Sequence, residues 1–502
     1  MGYPIGNRFV LCVLTGGVRS LGPRRNMNFP NELFLDGGYR PATGGGRTTL
    51  IDPATEEGFV EVSAASVGDV EAAVESAHRA WEGGWRDLAP GKRAEILYRV
   101  ARVLREHVEE LARLEQRQIG KPIAEARDEA GLAARVFEYY AGAISHFGGQ
   151  TLPVARGGFD FTLKQSMGVV AAIVPWNFPL PIAAWKAAPA LAAGNVVVLK
   201  PASISPLTAL RMAELAVVAG LPPGVLQVVP GSGSAVGDAL VTHAKVRKVS
   251  FTGSTEIGRR IMELASRNLT RVSLELGGKS PNIVFADADW ERAAETSPMS
   301  VFANTGQDCC ARSRMFVERS VYDRFVERFV SATRRLVVGD PALETTQLGP
   351  MVTAGQRATV EGYLADARER GSEFACGGGR PAGKGYYLEP TVLLGVGTGD
   401  RCWREEIFGP VVAIVPFDDE AAMLREVNDS PFGLSGSVWT RDISRALRVS
   451  RLVESGVLSV NCHNSVHVEA PFGGFKTSGL GRDLGMAAME GYTETKNVYV
   501  AP

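Results

Sequence analysis

From Val169 onward the chain alternates short apolar runs with amphipathic stretches, and this alternation limits the possible folds more than any other feature of its 502 residues. "VVAAIV" is rich in β-branched residues. It is followed by a Pro-bounded turn, "PWNFP", and a helical stretch to Ala193. "NVVVL" comes next, then the turn "KPASISP", a helix over 207–219 and the strand "VLQVV". "VRKVSF" is a further strand, leading into "TGSTEIG". Strands alternating with helices predict a parallel sheet with right-handed crossovers, an α/β domain of the dinucleotide-binding type. A second alternating region follows "LELGGKSPNIVF". It has a helix near 289–304, the strand "RMFV", a helix over 321–336, and further elements to about residue 480. Upstream, Ile96, Leu97, Val100, Leu104, Val108, Leu111 and Leu114 recur at steps of three and four, predicting one long helix over 91–117. The tail "ETKNVYV" reads as an edge strand, suited to pairing with another subunit.

A chain of this length exceeds one ordinary core, so about two or three domains are expected. Its 54 basic and 55 acidic residues leave a net charge of -1. That gives no field to hold nucleic acid or an anionic membrane. No apolar run approaches the ~20 residues of a membrane span. The 6 cysteines are sparse, as expected of reduced thiols in a cytoplasmic protein. There is no C-x-x-C or H-E-x-x-H, and the histidines lack ligand spacing, so no metal is expected. Residues 1–26 hold a short, glycine-broken apolar stretch flanked by arginine. They are expected to be a disordered extension, with Met27 as the functional start.

The chemistry-bearing residues cluster in a few turns. "NTGQDCCARSR" sets Cys309 beside Cys310, behind Asp308. The two could be a buried pair, half a metal site, or a nucleophile and its neighbour. "GSGSAVG" carries Gly231, Gly233 and Gly237 with one residue more than G-x-G-x-x-G, and it reads equally as a phosphate loop or a flexible one. Ser254 opens a helix after a strand, where it can meet a phosphate or cap the first turn. Lys200 ends a buried strand, the side of a doubly wound sheet where ligands bind. Asn177 can aim an amide at an oxyanion or satisfy its own turn. Glu275 stands among apolar residues before Gly-Gly, a setting that raises a carboxyl toward general-base range unless a cation pairs with it. Glu405 and Glu406 precede a Gly-Pro turn, and the glycine-rich segment from Phe472 to Phe475 can wall a site.

Taken together, "PWNFP", "LKPA", "FTGSTEIGR", "LELGGKSPNI", "GQDCC", "EEIFGP" and "PFGGFKTSG" occur in one order and spacing. In this the chain resembles the aldehyde dehydrogenase superfamily, from about Phe34 to its C-terminus. The resemblance implies a Rossmann-like cofactor domain, an α/β catalytic domain and a small β oligomerisation element. On that pattern 27–147 and 168–277 would bind the cofactor, 278–480 would form the catalytic domain, and 148–167 with 481–502 would join subunits. A homodimer or homotetramer is expected, with the C-terminal strand crossing to a partner.

The resemblance also implies roles. Cys309 would be the nucleophile, with Cys310 only its neighbour, Glu275 the general base and Asn177 the oxyanion amide. NAD or NADP would lie along Trp176, Lys200, Ser203, Gly233, Gly237, Ser254, Gly277, Glu406 and Phe408. The aldehyde would meet Phe178, Trp185, Asp308 and Phe472. The implied reaction is oxidation of an aldehyde to an acid through a thiohemiacetal and a thioester, which Glu275-activated water hydrolyses. Two rivals stay open. In a CoA-acylating enzyme a thiol would resolve the thioester, and a non-catalytic protein could share the scaffold. Three positions depart from the commonest pattern. Ser203 stands where many members carry glutamate, so NADP should be tolerated although NAD is favoured. Ala303 replaces an aromatic of the tunnel. Asp308 precedes the nucleophile. If its carboxylate faces the tunnel it favours amino or betaine-type aldehydes; if it pairs with Arg312 or Arg314 it is structural.

Overall fold

The structure is a computed structural model and describes residues 29–464 and 466–502. The expectations for residues 1–26, including Cys12 and the start at Met27, lie outside the described residues. Five parallel strands form the centre of an eight-stranded sheet. In spatial order they are Leu226–Val228, Val196–Lys200, Val169–Ile173, Val246–Thr252 and Arg271–Glu275. Antiparallel strands complete it: Leu33–Leu35 and Gly38–Arg40 at one edge, Gly479–Leu480 at the other. Both faces of a parallel sheet are covered, which is why Val169–Ile173 and Val196–Lys200 are buried at every position. The strand order reverses between Val169–Ile173 and Val246–Thr252. Crevices form at such a switch point, at the carboxyl ends of the strands.

A second sheet of seven strands has the order Glu373–Cys376, Thr391–Leu394, Val411–Phe417, Arg314–Glu318, Pro281–Val284, Ser435–Trp439 and Val457–Val460. All its pairs are parallel except the first. The second alternating region is therefore α/β as expected.

One expectation needs correction. The predicted 91–117 helix is two helices, Pro90–Glu106 and Val108–Ile119. At His107 the ring Nδ1 lies 2.8 Å from the Val103 carbonyl, the oxygen its own backbone N–H would take in a continuous helix. That N–H turns instead to Leu104 O at 3.1 Å. The apolar period hid the break because Leu97, Val100, Leu104, Leu111 and Leu114 are all buried on both sides of it. The C-terminal strand finds a neighbour within its own chain. Thr493–Val500 pairs along its whole length with Phe159–Ser166 of its own chain, and Thr151–Leu152 forms the third strand. It remains an edge strand. Among the described residues no helix is long and apolar enough to cross a membrane.

Candidate active site

The nucleophile candidate sits on the loop between the helix Trp290–Phe302 and the strand Arg314–Glu318. Three successive residues there, Asn304, Thr305 and Gly306, have left-handed backbones with φ of 49, 57 and 70°. A β-branched threonine at positive φ is strained and persists only where its surroundings hold it. Here Thr305 Oγ1 donates to Gly349 O at 2.8 Å, Gln307 Nε2 to Asn304 O at 3.0 Å, and Val352 N–H to Gln307 Oε1 at 2.9 Å. The strained loop thus reaches Cys309 in a fixed position. The two thiols and the Asp308 carboxylate lie within 4.8 Å of one another, close enough to share a metal ion, but the two cysteines differ in exposure. Cys310 is buried, while Cys309 is half-buried and is the one lining both cavities described next. The hydrogen bond to Cys310, together with burial, pushes the Cys309 thiol well above the ordinary cysteine range, so the resting group is protonated.

Two cavities meet at Cys309. The larger, of about 400 Å³, is walled by Leu132, Phe178, Trp185, Met299, Val466 and Phe472. Trp185 and Phe472 stand edge to face at 5.3 Å. Its polar lining includes Glu129, Glu275 and Asp308. The smaller, of about 270 Å³, holds Trp176, Asn177, Ser254, Gly277, Glu406 and Phe408. It opens at the switch point, since Trp176–Asn177 follow Val169–Ile173 and Gly253–Ser254 follow Val246–Thr252.

Glu275, the last residue of its strand, is buried, and neither carboxyl oxygen has a hydrogen-bond partner. Burial, and then the nearby Asp483 carboxylate, raise it well above the usual carboxylate range. The alternative of a paired cation fails: the Lys186 ammonium bonds Asp483 at 3.0 Å and Ser250 Oγ at 3.1 Å instead. An unpartnered carboxyl in the larger cavity, with its proton affinity raised, is chemically a proton acceptor. The Asn177 amide does not satisfy its own turn. Nδ2 donates one hydrogen to Gln307 O at 2.9 Å, leaving a second for a ligand.

The cofactor candidates divide between two places. Glu406 is half-buried, and its Oε1 accepts from Gly278 N–H at 2.8 Å; desolvation raises it to about 7. A Cβ at Gly277 would strike this carboxylate, so any other residue there would push the Glu406 side chain aside. Phe408 holds φ 55° with its ring edge-on to Trp176 at 5.3 Å. Ser254 caps the helix Thr255–Ala265 through Ile257 N–H at 3.4 Å, the capping reading, while it also lines the smaller cavity. Beyond that cavity, Lys200 is nearly buried, donates to Pro201 O at 3.1 Å, and passes beside Gly237. Burial lowers it to about 8. Ser203 Oγ donates to Gly231 O at 2.8 Å. Gly233 starts a helical turn to Gly237 that Ser232 caps at Ala235 N–H, so this segment is ordered and is not a flexible loop. Glu405 is separate: it is partly exposed and bonded to Arg401 and to Tyr363 at 2.8 Å.

Asp308 lines the larger cavity, and its Oδ1 accepts from Cys310 N–H at 2.9 Å. Burial raises it above the usual range, chiefly by desolvation. The Arg314 guanidinium is spent on Lys279 O and Val427 O, both at 3.0 Å. Sequence reasoning passed over Lys121, Asn304 and Glu129. Lys121 Nζ and Asn304 Nδ2 both donate to Asn177 O, at 2.8 and 3.0 Å. The signals were present: "GKP" and "NTGQ" each set a polar residue beside a backbone breaker.

Known proteins are similar to this chain in sequence and fold. Residues 39–498 match the model of the aldehyde dehydrogenase family. Phenylacetaldehyde dehydrogenase of Pseudomonas fluorescens is 43% identical over 95% of this chain and 97% of the relative. Betaine aldehyde dehydrogenase of Brucella suis biovar 1 is 43% identical over 93% and 96%. The solved indole-3-acetaldehyde dehydrogenase of P. syringae, in complex with NAD+ and IAA, superposes with a TM-score of 0.93 at 40% identity, covering 95% of this chain and 97% of that one.

Proposed function

We propose that this chain, which belongs to the aldehyde dehydrogenase family, oxidises its aldehyde through a covalent intermediate on Cys309 and releases the acid by hydrolysis. One observation carries the reading: Cys309 stands where the two cavities meet, with Glu275 in one and Asn177 in the other. Cys309, once deprotonated, attacks the aldehyde carbon from the larger cavity. The free Asn177 amide hydrogen stabilises the oxyanion of the tetrahedral adduct. The smaller cavity, with the carboxylate of Glu406 and the wall of Trp176 and Phe408, fits the nicotinamide end of NAD(P). When bound, NAD(P)+ supplies the hydride acceptor that turns the adduct into a thioester. Glu275 then takes a proton from water, the hydroxide adds to the thioester carbon, and Cys309 leaves as thiolate. Steady-state NADH formation with aldehyde alone tests this. Turnover that requires added CoA would favour the acylating reaction.

For the substrate, magnitudes favour an apolar or aromatic tail. Burying a phenyl group against Phe178, Trp185, Leu132 and Phe472 contributes about 2 kcal/mol. A second reading, an amino or betaine-type aldehyde, is supported by the Asp308 and Glu129 carboxyls on the same wall. Its charge term, after desolvation, is only about 1 kcal/mol, and Asp308 is further weakened by its raised proton affinity. The expected ranking by kcat/KM is phenylacetaldehyde, then 4-aminobutyraldehyde, then succinate semialdehyde. Asp308→Asn should lower only the cationic substrate, by about fivefold. If the mutation leaves kcat/KM for 4-aminobutyraldehyde unchanged, Asp308 is structural and the cationic reading loses its main support.

NADP is expected to work beside NAD, because Ser203 cannot repel a 2′-phosphate as a glutamate would, and Lys200 attracts one. Lys200 loses its charge as pH rises through about 8, so the NADP/NAD ratio of kcat/KM should fall from pH 7 to pH 9 (about two units spanning that pKa). A preference for NAD above roughly a thousandfold at neutral pH, about 4 kcal/mol, would mean that another group blocks the phosphate. Association of copies through the sheet of Thr493–Val500 is likewise proposed, on the open edge of that sheet.

A further inference from the structure

Behind the oxyanion turn three carboxyls, buried Glu115 and partly buried Glu125 and Glu129, surround one buried ammonium. Lys121 Nζ is fully buried and ion-paired to Glu129 Oε1. It also lies 4.0 Å from the centre of the Phe178 ring, which walls the aldehyde cavity. Glu115 sits on the same cluster, with its Oε1 accepting from Leu180 N–H at 2.8 Å. Glu125 Oε2 accepts from Asn304 N–H at 3.2 Å, at the first strained residue of the nucleophile loop. The helices Val108–Ile119 and Ile123–Ala143 therefore reach both halves of the reaction centre.

The contacts at Asn177 are mutually locking. Its main-chain oxygen is gripped by Lys121 and by Asn304, and its side-chain amide by Gln307 O. Gln307 O also accepts from Asn304 Nδ2 at 3.2 Å. With one Nδ2 hydrogen fixed on Gln307 O, the direction of the other is set by where the Asn177 backbone stands. Without the ammonium, that carbonyl keeps only the Asn304 amide, and the turn can shift.

We propose that Lys121 is a positioning residue: by holding the Asn177 carbonyl and the Phe178 ring together, it aims the free Asn177 amide hydrogen at the oxyanion formed on Cys309. The proposal rests on the reading of Cys309 and Asn177 above. The lysine touches neither substrate nor thiol, so its loss should affect steps that build an oxyanion and spare those that do not.

The test uses the full-length protein and two probes of Cys309. Hydrolysis of a nitrophenyl ester acylates the thiol through an oxyanion and uses no nicotinamide. Alkylation by iodoacetamide is a displacement at carbon and builds no oxyanion. Lys121→Met alone strands a partly buried Glu129, so the variant of choice is Lys121→Met with Glu129→Gln, which removes the ion pair as a unit; thermal melting and NAD binding confirm its fold. Ester acylation and aldehyde kcat should both fall, on the order of tenfold to a hundredfold, with alkylation within about twofold of wild type. Lys121→Arg, which keeps charge and donors, should recover part of the loss. A parallel fall in alkylation would overturn the proposal by placing the effect on the thiol or the fold. A rise in KM with unchanged kcat would overturn it too, by making the effect one of uniform binding. Wild-type protein that forms no NADH would instead sink the proposed function, while the ester arm would still decide the role of Lys121.

Discussion

Cys309→Ala should lower turnover by about five orders of magnitude, on the order of 6–8 kcal/mol of barrier, while Cys310→Ala keeps most of it. The asymmetry follows from placement. Cys309 lines both cavities, whereas Cys310 is buried and lines only one. Steady-state NADH formation by the two variants checks this. If Cys310→Ala were the inactive variant, the assignment of the nucleophile would be wrong by one residue.

Glu275→Gln should separate the two halves of the reaction. Thioester formation does not need the carboxylate, but hydrolysis does. Rapid mixing should show a burst of NADH of about one per site, then steady turnover slower by about a thousandfold. The pH dependence has a definite sign. A carboxyl raised by burial and by Asp483 is protonated at low pH and becomes a base only as pH rises through its raised pKa. Wild-type steady-state turnover should rise with pH over that range, and the variant should lose the limb that belongs to hydrolysis. The limb from the Cys309 thiol, which has the same sign, stays in the burst phase of both proteins. Equal losses of burst and steady rate would count against a hydrolytic role.

Much of this was legible in the sequence because β-branched runs such as "VVAAI" and "NVVVL" have only one environment that accepts them, a strand covered on both faces. The helix–strand alternation therefore gave the two sheets, and the turns after the strands gave Asn177, Lys200, Ser254 and Glu275. What stayed hidden depended on contacts between distant segments. The break at His107 turns on which group takes the Val103 carbonyl, and an apolar period cannot report that. The pairing of Thr493–Val500 with Phe159–Ser166 joins residues more than 300 positions apart, so the tail read only as a strand in want of a neighbour. Asp308 was ambiguous because its carboxylate could face the tunnel or pair with Arg312 or Arg314; the structure sets it on the cavity wall, with Oδ1 accepting from Cys310 N–H. Lys121 and Asn304 were missed for a related reason: "GKP" and "NTGQ" mark polar residues beside backbone breakers, but the oxygen they share, that of Asn177, is a main-chain atom that the sequence does not point to.

The proposed reaction turns on a thioester at Cys309 that needs Glu275 for its release. It is tested most directly by intact-mass and peptide-mass analysis of Glu275→Gln protein quenched in acid after mixing with phenylacetaldehyde and NAD. The predicted result is one acyl group per chain, located on the peptide at Cys309, in an amount equal to the NADH formed in the burst. NADH formed without any acylated peptide, or the acyl group found on Cys310 or elsewhere, would contradict it.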